Sequence, residues 1–283
     1  MPRIQDRVLD AAVYLYDSKD EALAGEAAGG SGFLVGVKTT ILPPPASFIY
    51  AVTNRHIIES GATCIRLNTM AGDIDVFPFT KADWEVSLTD DLAIISMPDI
   101  ADVFKIHSIP ADSLISEQFV IDHDIGVGDE VMMLGRFLNR DGIQKNTPTA
   151  RFGHLAQMPG EFITVEIGGK PFDQKDAFLI EARSISGFSG SPVYVLPNRN
   201  YVRNGKPLPE DVAVILGIDF CHLVNGQSAQ KPNHNVIFNE HTGMAGVVPA
   251  WKLREMLNSD KNKAKRTASE EAEQLRRKNA GIA

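Results

Sequence analysis

What most limits the fold of this chain is how often its apolar runs are interrupted. Runs at 8–15, 32–37, 48–53, 64–67, 92–96, 130–134, 162–167, 177–180, 193–196 and 212–218 are rich in β-branched or large apolar residues, and turn residues end nearly all of them before they reach helical length. The stretch 249–257 is the best candidate for a helix, with Trp251, Leu253, Met256 and Leu257 available for one buried face. Many short strands and few helices predict an all-β barrel or sandwich.

Candidate chemistry concentrates in three segments. Gly187-Phe188-Ser189-Gly190-Ser191-Pro192 sets a serine between glycines, which let the backbone turn sharply and approach a substrate closely. Thr53-Asn54-Arg55-His56 follows an apolar run, and Asp90-Asp91-Leu92-Ala93-Ile94-Ile95 lies between the two. A hydroxyl is a poor nucleophile at neutral pH, so it needs an imidazole to take its proton and a buried carboxylate to fix the imidazole tautomer. The order His, Asp, Ser supplies all three types. Ser184, Ser186 and Ser191 are the neighbouring serines against which Ser189 is preferred, and strand alternation sends Asp90 and Asp91 in different directions. The histidines at 107, 123, 154, 222, 234 and 241 lack such a context. Cys221-His222 with His234 or His241 has no compact ligand spacing, so neither a metal nor another cofactor is expected.

These segments resemble the nucleophile, histidine and aspartate motifs of trypsin-like serine proteases. Gly30-Ser31-Gly32-Phe33-Leu34-Val35 is similar to a strand of the bacterial high-temperature-requirement (Deg-type) branch. Val127-Gly128-Asp129-Glu130-Val131 with Leu134-Gly135 resembles the opening strand of its second barrel. Ile215-Leu216-Gly217-Ile218 and Met244-Ala245-Gly246-Val247-Val248-Pro249, leading into Leu253 and Leu257, resemble its last strands and closing helix. The ordered matches span about residues 28–258. The resemblance implies two six-stranded antiparallel β-barrels with the active site in the cleft between them and a short C-terminal helix. It assigns His56 as general base, Asp91 rather than Asp90 as the orienting acid, Ser189 as nucleophile, and the Gly187 and Ser189 amides as the oxyanion hole. Asp90 is left as a surface turn residue.

Two positions depart from the family pattern. Phe188 stands where an aspartate or asparagine is common, and it cannot pair with a freed N-terminal amine, so the oxyanion loop must be held by packing. Arg183, six residues before Ser189, replaces the aspartate that attracts basic side chains in trypsin, which disfavours cleavage after Lys or Arg. The pocket is expected at Arg183, Ser184, Ile218, Asp219, Phe220 and Ala245. Burying an unpaired arginine is costly, so Arg183 turning to solvent beside a small apolar pocket is preferred over Arg183 facing an acidic side chain.

The net charge of -8 argues against nucleic-acid binding. Residues 1–20 carry four aspartates and lack the apolar stretch of a signal peptide or membrane span, so a cytoplasmic protein without membrane attachment is expected. Cys64 and Cys221, one in each implied barrel, are read as free thiols. The expected organisation is a first lobe over 1–110, a connection over 111–125, a second lobe over 126–258 and a charged tail over 259–283. Loops are expected at 42–47, 197–211 and 224–242. The tail reads as a solvated helix or disordered segment, with docking to a partner as the alternative. The functional expectation is a serine endopeptidase acting on protein or peptide substrates through an acyl-enzyme. The alternative is a catalytically silent module that binds peptides or partners through the same cleft.

Overall fold

The computed structural model describes residues 4–26, 28–42, 46–100, 102–137, 142, 144–167, 169–182, 187–196, 214–231 and 234–279. In the first lobe the strands are β1 (Ala12–Tyr16), β2 (Ala28–Lys38), β3 (Ser47–Thr53), β4 (Cys64–Asn68), β5 (Ile74–Pro78), β6 (Glu85–Val86), β7 (Ala93–Ser96) and β8 (Ile109–Pro110). They form one eight-stranded sheet in the order β5-β4-β1-β2-β3-β7-β6, with β8 parallel to β2. The second lobe has β9 (Glu130–Gly135), β10 (Thr149–Gln157), β11 (Ile163–Ile167), β12 (Lys170–Gln174), β13 (Phe178–Glu181), β14 (Pro192–Val195), β15 (Val214–Lys231) and β16 (His234–Pro249). Six of these close a barrel in the order β10-β13-β16-β15-β14-β9, while β11 and β12 pair only with each other. The all-β, two-lobed architecture is the expected one. Its first half is a curled eight-stranded sheet rather than a closed six-stranded barrel.

Strand β1 explains why some runs lack alternation. All five of its residues are buried, with Val13 and Leu15 in one apolar cluster and Tyr14 and Tyr16 in another. A strand covered on both faces has no polar side to show. Arg66 is buried between those tyrosines, its guanidinium 5.8 Å from the Tyr14 ring centre and 4.8 Å from that of Tyr16. It donates to the carbonyls of Ala22 and Gly142 and to Asn146 Oδ1, so a paired buried cation ties the segment around 142–146 to the first sheet.

Among the described residues six α-helices complete the fold: α1 (Asp6–Leu9), α2 (Lys19–Ala24), α3 (Arg55–Ser60), α4 (Glu117–Asp122), α5 (Ala250–Leu257) and α6 (Asp260–Asn279). Among the described residues none is long and apolar enough to cross a membrane. Within 111–125, a turn at 111–113 and α4 lie beside the barrel, and the Ile115 amide donates to the Ile215 carbonyl at 3.1 Å.

Besides the shape of the first sheet, the structure alters two readings of the chain's organisation. The segment 224–242, expected as a loop, continues the β15–β16 ladder from Val224↔His241 to Lys231↔His234. The proline-rich loop at 43–45 and the loop at 197–211 lie outside the described residues.

The charged tail is the second correction: α6 docks on the first lobe of the same chain. Asn262, Arg266 and Glu270, four residues apart and therefore on one face, are buried. Glu270 accepts from the Thr40 amide at 2.6 Å and the Thr40 hydroxyl at 2.7 Å. Arg266 donates to the Leu257 carbonyl at 2.7 Å and to the Tyr50 hydroxyl at 3.3 Å. Glu85 on β6 takes Lys261 at 2.6 Å and Asn262 at 3.1 Å.

Burial by itself would push the Glu85 carboxyl up, but Lys261, Asn262 and Lys265 together outweigh it and hold the group below the usual carboxylate range. A depressed folded-state pKa contributes stability above the unfolded value, about 4.3, and loses it as pH falls through the folded value. Glu85→Gln should therefore melt below the parent at pH 7. The gap should narrow as pH falls below the unfolded value and close once pH has passed the lower folded-state value; a gap that does not narrow on acidification would show that the ion pairs do not anchor α6.

Candidate active site

Strand register brings the first two candidate residues together. Strands β3 and β7 pair with Thr53 opposite Ala93, which sets Asp91 beside the turn leading into α3. Asn54 occupies the N-cap position in an extended conformation but makes no side-chain cap; its Nδ2 instead donates to the Asp91 carbonyl at 2.9 Å. The cap comes from Asp91, whose Oδ1 accepts from the His56 amide at 2.9 Å. Its Oδ2 lies 2.7 Å from His56 Nδ1. The Asp91 side chain is fully buried and that of His56 is 22 % exposed. With Oδ2 as acceptor, Nδ1 carries the proton and Nε2 is left to accept one. Among the described residues this is the imidazole's one hydrogen bond.

Ser189 sits on a loop whose shape needs its glycines. Gly187 and Gly190 have φ of 98° and 88°, the left-handed region. A Cβ on Gly190 would collide with the Ser31 carbonyl and the Thr53 hydroxyl, so the loop lies flat against β2 and β3. The Ser31 amide donates to the Ser189 carbonyl at 2.9 Å, and Ser31 Oγ donates to the Gly187 carbonyl at 2.7 Å. The same hydroxyl accepts from the Arg136 amide at 2.8 Å. Gly30 packs against both the Ile57 side chain and the Ser189 carbonyl, which puts the residue after His56 and the candidate nucleophile on one glycine. The Gly190 amide donates to the Asp219 carbonyl at 2.8 Å, and Asp219 N–H to the Ser191 carbonyl at 2.9 Å.

Phe188 is fully buried in an apolar cluster drawn from both lobes, with the Arg151 guanidinium 5.1 Å from its ring centre. The residue that cannot pair with an N-terminal amine is packed beneath the nucleophile loop. Sequence reading did not single out Ser31 as a loop holder, although it lies in the quoted Gly-Ser-Gly-Phe segment.

Of the expected pocket residues, Arg183 and Ser184 lie outside the described residues. Ile218, Asp219, Phe220 and Ala245 are at most 2 % exposed. Gly246, on the strand beside them, leaves room by its missing side chain for the Phe220 ring and the Cys221 sulfur. A separate cavity of about 530 Å³ borders Glu130, Arg151, His154 and Glu181, and none of the candidate catalytic residues lines it.

Asp90 corrects a further expectation, being buried instead of a surface turn residue. Its Oδ2 accepts from the Thr89 hydroxyl at 2.7 Å and its Oδ1 from Gln174 Nε2 at 3.1 Å. No sequence signal linked Gln174 to this site.

No protein-family model matches the chain, and no curated protein sequence matches it. Solved structures do. The MamO protease domain of Magnetospirillum magneticum superposes with a TM-score of 0.52 at 16% identity, covering 90% of this chain and 100% of that one. The Rv3671c protease of M. tuberculosis, in its active form, gives 0.48 at 15% identity over 88% of this chain and 79% of that one. A serine-to-alanine variant of the HtrA-type protease AlgW with a decapeptide gives 0.47 at 13% identity, covering 89% of this chain and 65% of that one. The first of these likenesses shows the fold, a chymotrypsin-like one.

Cys64 and Cys221 are free thiols. Burial, with the charges of Asp219 and Asp91 adding to it against a Gly246 hydrogen bond, pushes Cys221 up to about 12. Burial likewise raises Cys64. Because the thiolate is the reactive form, Cys221 in the native protein at pH 8 should react with a disulfide reagent on the order of a thousandfold more slowly than an unfolded-chain thiol. Unfolding in urea should release both thiols to the reagent; fast native labelling of Cys221 would refute the desolvation of this half-buried thiol.

Proposed function

We propose that this protein is a serine endopeptidase in which Ser189, His56 and Asp91 act as a unit. The observation that carries the reading is the buried Asp91 carboxylate on His56 Nδ1, with the Ser189 loop held against the neighbouring strands. In the proposed reaction Ser189 Oγ attacks the peptide carbonyl and its proton passes to His56 Nε2. The imidazolium then gives that proton to the leaving amine as the C–N bond breaks, leaving an acyl-enzyme on Ser189. Water, deprotonated by His56, attacks the ester, and the proton returns to Ser189 as the acid leaves. The amides of Gly187 and Ser189 are assigned to the developing oxyanion, each worth about 3 kcal/mol where such a donor has been removed in other proteases.

Packing takes the place of an ion pair in holding that loop on this reading. Ser31 fixes the Gly187 carbonyl and Phe188 fills the space below. The organisation proposed is a first lobe over 1–110 carrying His56 and Asp91 and a second over 126–258 carrying Ser189, joined by 111–125. Two free thiols suit a reducing, cytoplasmic compartment.

Hydrolysis of a dye-labelled denatured protein, followed against the Ser189→Ala form, tests the proposal. Ser189→Ala and His56→Ala should each remove about three or more orders of magnitude of turnover without shifting the thermal melt, since members of such a unit fail together. Asp91→Asn should cost roughly ten-thousand-fold, because the amide favours the wrong imidazole tautomer. Hydrolysis that is equal in parent and Ser189→Ala would reject the assignment, and peptide binding without turnover would identify a silent module instead.

A further inference from the structure

We propose that Gln174 is a positioning residue for Asp91, acting from the second half of the chain across to the first. The inference rests on the reading of His56 and Asp91 as catalytic. Gln174 ends β12 and is fully buried, although its hairpin pairs with neither of the two large sheets. A buried primary amide is costly unless its donors and acceptor are used. Here they are: Oε1 accepts from the Asp91 amide at 2.7 Å, while Nε2 donates to Asp90 Oδ1 at 3.1 Å and to the Lys175 carbonyl at 2.9 Å. Reversing the amide would set its N–H groups against the Asp91 N–H and its oxygen against two acceptors. The neighbours therefore dictate one orientation.

The consequence falls on Asp91. Its N–H is held by Gln174, its carbonyl by Asn54 and its two carboxylate oxygens by His56, so side chains bracket both ends of the residue that orients the imidazole. The same hairpin grips the histidine side. Phe172, two residues before Gln174 and therefore on the same strand face, has the Arg55 guanidinium 5.4 Å from its ring centre. One face of β12 thus touches the residue before His56 and the backbone of Asp91. Asp90 acquires a role as well: its carboxylate fixes which way the Gln174 amide points.

The test compares Gln174→Met, which keeps the volume and loses the hydrogen bonds, with Gln174→Glu, Asp90→Asn and the double variant. Gln174→Met should lower kcat about 10- to 100-fold while KM changes less than about threefold, the pattern of a lost orientation rather than lost binding. Gln174→Glu keeps the acceptor for Asp91 but opposes two carboxylates, and should lose about tenfold or more in kcat. Adding Asp90→Asn supplies a donor again, and the double variant should recover to within about threefold of Asp90→Asn alone.

A readout without turnover separates this inference from the protease assignment: the low-field proton resonance of His56 Nδ1–H should broaden or vanish in Gln174→Met. If the parent hydrolyses nothing, the protease reading fails while that resonance still decides the role of Gln174. Should Gln174→Met fold poorly, the rescue in the double variant carries the decision. Unchanged kcat and an unchanged His56 resonance in a folded Gln174→Met, or no rescue in the double variant, would overturn the proposal.

Discussion

A carboxylate with no exposed surface must have each oxygen bonded, and Asp91 is such a group. Both of its oxygens are taken by one residue, the amide and the ring of His56, and much of the surrounding structure reads as the means of keeping them there. The β3–β7 register sets the approach, Asn54 gives up its ordinary capping role to hold the Asp91 carbonyl, and the carboxylate caps α3 in its place. A negative charge at the start of a helix is favourable, so helix and acid stabilise one another. Loss of the acid would leave the helix start and the imidazole without their partner together.

The Ser189 loop obeys a different constraint, that of close approach. Two left-handed glycines and the absence of a side chain at 190 let the loop lie on Ser31 and Thr53, and the bonds to Ser31 join loop to sheet. Below it Phe188 contributes apolar burial where an ion pair would have served, a contribution of about 2 kcal/mol or more for a buried aromatic. On the proposed reading, the loop is pre-shaped by packing and needs no cleavage of the chain to organise it.

How much of this could be read beforehand depended on distance along the chain. The His, Asp and Ser segments were legible because each is short and its residue types follow from the chemistry. The all-β class was legible because turn residues cut the apolar runs. The docking of α6 was not, since its buried face is Asn262, Arg266 and Glu270, and no apolar stripe marks a polar interface. The extension of β15 and β16 was missed because 224–242 is largely polar and lacks the alternation of a half-buried strand. Asp90 was misread as exposed because its partner, Gln174, lies 84 residues away.

On the proposed reading the His56–Asp91 pair makes one serine a nucleophile. Treating the native protein with a fluorophosphonate and locating the adduct by peptide mass spectrometry tests this directly, because the reagent forms a stable ester only with an activated hydroxyl. A single adduct should form on Ser189 and disappear in His56→Ala. Absence of any adduct in the folded parent, or labelling of Ser191 or another serine with Ser189 untouched, would contradict it.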